Sequence, residues 1–417
     1  MNASLWPRHF DNVLIDSENR WWKSFWNRKP SVTNRLNIGQ KIIIKDDTLR
    51  EGILAPGAGG QGQMSIDDRI EIARALDQLG ISEAEVGYTV RLKETIAVLK
   101  AIKKESIKFN CSVHTKLWGD LGKIQHEVAS VIDAGADYIN YLLFWDVGTG
   151  KKTDFLNQVR KGVRYAKKHN AYVAFGTVQL QMKPEFFKQL CQEAVDAGAD
   201  RIVAYDGHGC SHVTAFKACV VWLREWLDNE IPIEVHCHND FGLATAETLA
   251  AVEAGAEILD VSINGLGNRA GIGSLEEVVM ALTVLYDIDL GLKLNQLFPL
   301  SRLVQQKTNI PVQPHKPIVG KNCTVHESAV HIQQILVDGP QTWEVYKPEI
   351  VGQSSKLVFG GTSLENDYLA LRYFLKHKGL DKAEAKIEEI ATEIRRQLEK
   401  QPYLYDDEVI NIAKKII

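Results

Sequence analysis

The chain has 417 residues, more than one ordinary domain needs, and its 45% hydrophobic and 24% charged content is that of a globular protein. A formal net charge of −4 gives no reason to expect a nucleic acid or an anionic membrane as partner, and no apolar run is long enough to span a bilayer. Six cysteines without a repeated spacing read as reduced thiols, which points to the cytoplasm.

Residues 1–40 stand apart. Trp6, Trp21, Trp22 and Trp26 crowd a segment that also holds Asp11, Asp16 and Glu18. A secretory signal needs an apolar stretch, which is missing, and a transit segment avoids acids. So many large rings suit an arm packed on the rest of the chain's barrel or on a second subunit better than a disordered leader.

From residue 41 the pattern alternates. Apolar, β-branched-rich runs fall near Lys41–Lys45, Ala84–Gly87, Phe109–Val113, Tyr138–Leu143, Tyr172–Phe175, Arg201–Ala204, Ile233–Val235 and Ile258–Ile263. Stretches between them, such as Asp67–Gln78 and Ala246–Ala254, carry helical periodicity. Three junctions share a sequence: Asp133-Ala134-Gly135-Ala136-Asp137, Asp196-Ala197-Gly198-Ala199-Asp200 and Glu253-Ala254-Gly255-Ala256-Glu257. Each puts glycine where a helix should end, and glycine takes the left-handed cap at least cost. The fold class expected is α/β, a (β/α)8 TIM barrel over residues 41–288, with an open doubly wound sheet as the structural alternative.

Two motifs at the ends of the first and seventh runs carry the chemistry. Asp47-Thr48-Leu49-Arg50-Glu51-Gly52 follows Ile42-Ile43-Ile44, and His236-Cys237-His238-Asn239-Asp240 follows Ile231-Pro232-Ile233-Glu234-Val235. A strand repeats every two residues, so His236 and His238 point the same way and Cys237 the other. Two imidazoles and a carboxylate form a three-ligand set for one divalent metal ion with positions left for substrate. Arg50 adds a permanent positive charge beside it, which suits stabilising an enolate oxygen. Taken singly, a His-x-His is a common surface pair and Arg-Glu a solvated ion pair. At the ends of barrel strands, both motifs fall on the rim where such enzymes work.

Further candidates each have a structural reading beside the functional one. His114 ends the third run and can reach the pocket, or pack in the core. His208, in Asp206-Gly207-His208-Gly209, is a substrate-binding group or a turn residue. Gly265, Gly267, Gly271 and Gly273 follow the eighth run, and their amides can take an anionic substrate group or merely shape a tight turn. Asn239 and Asp240 can orient the histidines or hold substrate.

Beyond Ser274–Tyr286, which reads as the last barrel helix, Pro311, Pro314 and Pro317 mark an extended connection. Residues 289–417 then form a linker and a mostly helical appendage, with helices near Leu364–Lys376 and Lys382–Lys400, suited to covering the barrel mouth or pairing two subunits.

Between Ile42 and Gly379 the chain resembles the DRE-TIM metallolyase family, in its homocitrate synthase and 2-isopropylmalate synthase branch. Asp47–Gly52, His236–Gly242, Asn264–Glu277 and His326–His331 carry the likeness in family order. The resemblance implies a homodimeric acyltransferase of amino-acid biosynthesis that condenses acetyl-CoA, as acyl-CoA co-substrate, with a 2-oxo acid. It makes Glu51, His236 and His238 metal ligands, the ion being Zn, Mg, Mn or Co. It makes Arg50 the group that polarises the keto oxygen and His331 the appendage histidine that moves a proton, with Tyr346 a second candidate. Glu51 and Ile272 match the homocitrate pattern rather than the leucine-pathway one.

Four departures from that pattern stand out. Ile53 and Leu54 follow Gly52 where the family has Glu-Gln. Residues 55–63 form an unusually glycine-rich loop. Val178 stands where the family has a carboxylate, and Trp343 where it has tyrosine. These changes keep a lyase or aldolase of the same superfamily, and a catalytically silent regulatory homologue, as alternatives to the condensation.

Overall fold

The computed structural model describes residues 13–38, 41–58, 64–143, 152–177, 183–227 and 230–417. Trp6, residues 59–63 and Val178 lie outside these. Among the described residues, no helix is long and apolar enough to cross a membrane.

Ahead of the barrel, β1 (Val13–Ile15) and β2 (Trp22–Ser24) pair antiparallel. The eight runs read from the sequence then form β3 (Ile43–Asp46), β4 (Glu83–Tyr88), β5 (Asn110–Lys116), β6 (Tyr138–Leu143), β7 (Tyr172–Thr177), β8 (Arg201–Asp206), β9 (Ile233–Cys237) and β10 (Ile258–Val261). They pair in parallel in chain order and close through β10 against β3, with Ile43 opposite Ile258 and Asp46 opposite Val261. Helices such as Ile66–Leu79, Leu92–Lys104 and Leu275–Leu285 occupy the connections. A parallel pair needs a crossover, so this sheet forces each helix onto the outside, and the (β/α)8 barrel follows.

The repeated junctions do more than end helices. Gly135, Gly198 and Gly255 take φ of 111°, 103° and 101°, and the amide of each donates to the carbonyl three residues back. The acid two residues later then caps a neighbouring strand. Asp137 accepts from the Cys111 amide at 2.8 Å, Asp200 from Val173 at 2.7 Å, and Glu257 from Ile233 at 2.8 Å. A base at the end of an earlier helix holds each acid: Lys103, Lys167 and Arg224, at 3.1, 2.7 and 2.8 Å. One short sequence thus solves one problem three times, at the rim away from the site.

The barrel interior is charged where branched apolar layers are usual. Lys45 Nζ lies 2.8 Å from Glu234, 3.4 Å from Asp260 and 3.5 Å from Glu85. Arg201 joins Glu83 at 2.8 Å and Glu234 at 2.7 Å. All six are buried. Burial alone would lower the Lys45 ammonium, but the carboxylates of Asp260, Glu234, Glu85 and Asp47 raise it well above its usual range.

The compact unit holding the barrel runs over residues 29–311, past the edge expected at residue 288. Helix Leu297–Thr308, read above as part of the linker region, packs on helix Ile66–Leu79 and belongs to this unit. The second unit joins residues 312–417 with the N-terminal segment. Its sheet pairs β11 (Val325–His326) with β12 (Lys356–Phe359) and β12 with β13 (Leu404–Tyr405). Helices Ala329–Asp338, Glu365–His377, Ile387–Leu398 and Asp406–Ile416 bury Ile332, Phe374, Ile390, Ile394 and Ile412 around Phe359. The N-terminal arm, expected on the barrel or on a second subunit, docks here instead. The Trp22 amide donates to the Val345 carbonyl and the Lys347 amide to the Arg20 carbonyl, both at 2.9 Å. The Trp22 indole donates to the carbonyls of Gln341 and Glu344 at 3.1 Å. Backbone pairing of this kind needs an unpaired edge, which the Trp343–Tyr346 stretch offers.

Gly198→Ala should destabilise the barrel by about 1–2 kcal/mol, because alanine pays for a left-handed backbone there. Urea unfolding of parent and variant measures it. An unchanged midpoint would show that the junction does not need the left-handed residue.

Candidate active site at the barrel mouth

The turn after β3 builds half of the site. Asp46 accepts from the Thr48 amide at 3.0 Å and from its hydroxyl at 2.8 Å, while that hydroxyl accepts from the Ile263 amide at 2.9 Å. The Asp47 carbonyl accepts from the amides of Arg50, Glu51 and Gly52 at 3.2, 2.8 and 3.2 Å. Leu49 is fully buried and anchors the loop. Arg50 and Glu51 are thereby thrown over the rim, 5% and 3% exposed.

The other half comes from β9 and β10. His236 and His238 face the same side, as the period of two requires, and Cys237 turns away into the wall. Burial, then the charge of Glu247, pushes the Cys237 thiol well up. His236 Nδ1 lies 2.8 Å from Asp260 Oδ2, and burial of that carboxylate is overcome by Lys45 and then His236, which hold it below its usual range. An ionised carboxylate only accepts, so His236 Nδ1 carries the proton donated to Asp260, and in that tautomer Nε2 carries the lone pair. That Nε2 lies 3.3 Å from His238 Nε2, and His238 Nε2 lies 4.0 Å from Glu51 Oε1. Burial, then His236, pushes His238 down to about 4, so its ring is neutral at pH 7. The Asn268 amide donates to Glu51 Oε1 at 2.9 Å.

Two faces of His236 are therefore available to a divalent ion. Asp47, His236 and Asp260 form a buried group on the Nδ1 face. On the Nε2 face, His238 Nε2 lies 3.3 Å from His236 Nε2 and 4.0 Å from Glu51 Oε1, a more open arrangement than the first group. The sequence pointed to the second group; it gave no role to Asp260 or Glu85. Their signal was present: a charged residue inside an otherwise apolar strand, as in Leu259-Asp260-Val261 and Ala84-Glu85-Val86.

Arg50 faces three carboxylates. Nε donates to Glu85 at 2.9 Å, Nη2 approaches Glu85 at 2.7 Å and Asp47 at 2.6 Å, and Nη1 pairs with Glu51. Three of its five N–H groups are hydrogen-bonded, two to Glu85 and one to Glu51, which leaves one on each Nη. A cavity of 310 Å³ opens beside these residues, lined also by Leu54, Tyr88, His114, Leu142, Tyr205, His208, Asn268 and Arg269. His114 packs edge-on to Tyr88 with ring centroids 5.2 Å apart and lies 3.5 Å from Glu85. Burial, then Arg50, lowers its imidazole, which leaves it neutral.

Two expected substrate contacts are spent elsewhere. Asn239 does not line this cavity; its Oδ1 accepts from the Ala244 amide at 3.1 Å, starting helix Ala244–Val252. Gly267 packs against Glu51, whose Cγ would lie 3.0 Å from an added Cβ. The amides of Gly265, Gly271 and Gly273 donate to backbone carbonyls, so the glycine turn shapes the wall. Gly271 is required there: an added Cβ would meet the Gly265 carbonyl at 1.8 Å.

His331 and Tyr346 belong to the second compact unit. His331 stacks on Trp343 with centroids 3.6 Å apart, and burial, then His326, lowers its imidazole. Burial raises the Tyr346 hydroxyl, and the residue bridges Trp21 through its backbone. The sequence missed one pair there, His326 Nε2 at 3.1 Å from the buried Glu344.

Behind the histidine strand, Glu247 is 1% exposed, with the Cys237 thiol as its neighbour. Burial, then Asp206, raises its carboxyl to about 7. The folded chain then holds a proton that the unfolded chain has lost, so stability falls as pH rises from about 4.5 to 7. Glu247→Gln should remove up to about 3 kcal/mol of that decline, measured by urea unfolding at pH 5 and pH 8. Equal declines in parent and variant would show that Glu247 is ionised in the fold.

The HMGL-like family profile matches residues 41–304. The homocitrate synthase AksA of Methanothermobacter thermautotrophicus is 32% identical over 388 residues, covering 91% of this chain and 95% of that protein. The 2-isopropylmalate synthase of Methanocaldococcus jannaschii is 33% identical over 390 residues, covering 91% of this chain and 69% of that protein. Among solved structures, the hydroxymethylglutaryl-CoA lyase of Pseudomonas aeruginosa superposes with a TM-score of 0.55 at 16% identity, over 65% of this chain and 94% of that one, a likeness of fold alone. The chain belongs to the HMGL-like family, among transferases of the homocitrate and 2-isopropylmalate synthase type.

Proposed function

We propose that this protein condenses acetyl-CoA with a 2-oxo acid in a metal-dependent Claisen reaction. A base takes a proton from the acetyl methyl, the methyl carbon bonds to the keto carbon while the carbonyl electron pair moves to its oxygen, which gains a proton, and water then cleaves the thioester to a carboxylate and the CoA thiol. The observation that carries the reading is the pair of Nε2 atoms 3.3 Å apart beside Glu51. Two bonds of about 2.0–2.1 Å at a tetrahedral angle put their donor nitrogens about 3.3–3.4 Å apart. The relatives named as homocitrate and 2-isopropylmalate synthases support the same class.

In this reading Glu51, His236 and His238 hold the ion. The Nδ1 face fits less well, because Lys45 already lies 3.4 Å from Asp260 and Arg50 lies 2.6 Å from Asp47. A third cation between two carboxylates that are each paired would meet repulsion from both. A divalent ion on the Nε2 face supplies Lewis acidity toward a substrate oxygen. Asp260 fixes the His236 tautomer and ring direction. Burial would raise the Glu51 carboxyl, but the Arg50 guanidinium beside it holds it below its usual range, so it offers an anionic oxygen. An Arg50 N–H not spent on Glu85 or Glu51 donates to the keto oxygen as negative charge grows there.

Free-thiol release from acetyl-CoA, with metal content measured on the same samples, tests the proposal. His238→Ala should lose the ion and turnover together while circular dichroism stays unchanged. Arg50→Lys should lose on the order of 10²–10³ in kcat with metal retained, because an ammonium cannot serve three carboxylates and a substrate oxygen from one plane. Full turnover of either variant would contradict its assigned role, and thiol release without any oxo acid would sink the condensation.

A further inference from the structure

The barrel interior holds a hydrogen-bond chain that the proposed reaction does not use. Asn140, in the middle of β6, is fully buried. Its side-chain Nδ2 donates to Glu85 Oε1 at 3.1 Å, and its Oδ1 accepts from the Tyr205 hydroxyl at 3.4 Å. Burial would raise the Glu85 carboxyl, but Arg50 and then Lys45 hold it well below its usual range, so both its oxygens only accept. The Asn140 amide is therefore turned with its nitrogen toward Glu85 and its oxygen toward Tyr205. Strand β7 makes room for the tyrosine: a Cβ added at Gly176 would meet Tyr205 Cε2 at 2.6 Å.

The two Glu85 oxygens have separate partners. Oε1 faces Asn140 and, at 3.5 Å, Nδ1 of His114, which lies opposite Asn140 in the register of β5 with β6. Oε2 accepts from Arg50 Nε at 2.9 Å and Nη2 at 2.7 Å, with Lys45 Nζ at 3.5 Å. A guanidinium commonly gives each donor of its fork its own carboxylate oxygen. Here both donors meet on Oε2, because Oε1 is occupied. The last torsion of a glutamate is soft, so contacts at both oxygens hold the plane of the carboxylate.

We infer that Asn140 is a positioning residue for Arg50, acting through Glu85; the inference rests on the role given to Arg50 in the condensation. Without the amide, Glu85 turns about that torsion, the Arg50 fork spreads over both oxygens, and the guanidinium plane swings with it. The N–H groups left on Nη1 and Nη2 then miss the keto oxygen. A neutral amide suits the place: an acid there would repel Glu85, and a base would compete with Arg50 for it. Tyr205 completes the chain, and its ring lies against His236 with centroids 5.1 Å apart, so one side chain touches both halves of the site.

Thiol-release kinetics, metal content and crystal structures of Asn140→Leu and Asn140→Asp test this. The first keeps the volume and removes both polar atoms. The second keeps the oxygen toward Tyr205 and removes only the donor toward Glu85, which guards against a folding defect. In both, kcat should fall by about 10–100-fold with KM and metal content unchanged, since Arg50 acts as charge grows on the keto oxygen. In a Glu85→Gln background, Asn140→Leu should cost little more, because the two residues act as one chain. In crystals of either variant, Arg50 Nε and Nη2 should no longer meet on one Glu85 oxygen. An Arg50 left in place, parent turnover in both variants, or an equal loss with and without Glu85 overturns the inference. Absence of thiol release in the parent would sink the condensation reading, and the position of Arg50 in the variant crystals would still decide this one.

Discussion

Lys45 holds this barrel's interior and its active rim to one arrangement. Its ammonium sits among Glu234, Asp260 and Glu85, all fully buried. Taking such charges out of water costs several kcal/mol each, and an apolar filling of equal volume is often as stable. What the charges provide here is direction. Lys45 keeps Asp260 ionised, Asp260 sets the His236 tautomer, and the tautomer decides which nitrogen faces the cavity. Glu85 carries the same constraint to Arg50, and Arg50 to Asp47 and Glu51. The site is preorganised from beneath, by groups that need never touch substrate.

The fold was legible because its signals are local and repeated. Eight apolar runs with helical periods between them permit few architectures, and the three glycine junctions mark helix ends directly. The metal-ligating candidates were legible because each half is contiguous: Arg50-Glu51 on one turn, His236 and His238 two residues apart on one strand. What was hidden is what spans the barrel. Lys45 and Asp260 face each other only in the register of β3 with β10. Nothing in the chain order says that Arg50 spends two of its donors on Glu85, 35 residues away. Asn239 and Gly267 look like ligands in a motif but serve the wall, one starting a helix and the other leaving room for Glu51. The N-terminal tryptophans announced packing without naming the surface, because ring content carries no address.

The departures from the family pattern take on different meanings in three dimensions. Leu54 borders the cavity and makes its wall more apolar, whereas Ile53 is 5% exposed and belongs to the turn's own packing. Trp343 lies flat on His331, covering one face of a ring the resemblance makes catalytic. A flat indole keeps a neutral imidazole oriented and partly dry, which lowers its basicity while leaving its edge open to a donor or acceptor.

The central claim is that the interior charges reserve the Nδ1 face of His236 for protein and leave its Nε2 face for metal. Anomalous diffraction from crystals of the protein grown with Mn²⁺ locates the ion directly. The account predicts one peak within bonding distance of Nε2 of His236, Nε2 of His238 and the Glu51 carboxylate, with Asp260 still on Nδ1. A peak between Asp47, His236 and Asp260, with Lys45 displaced from Asp260, would contradict it.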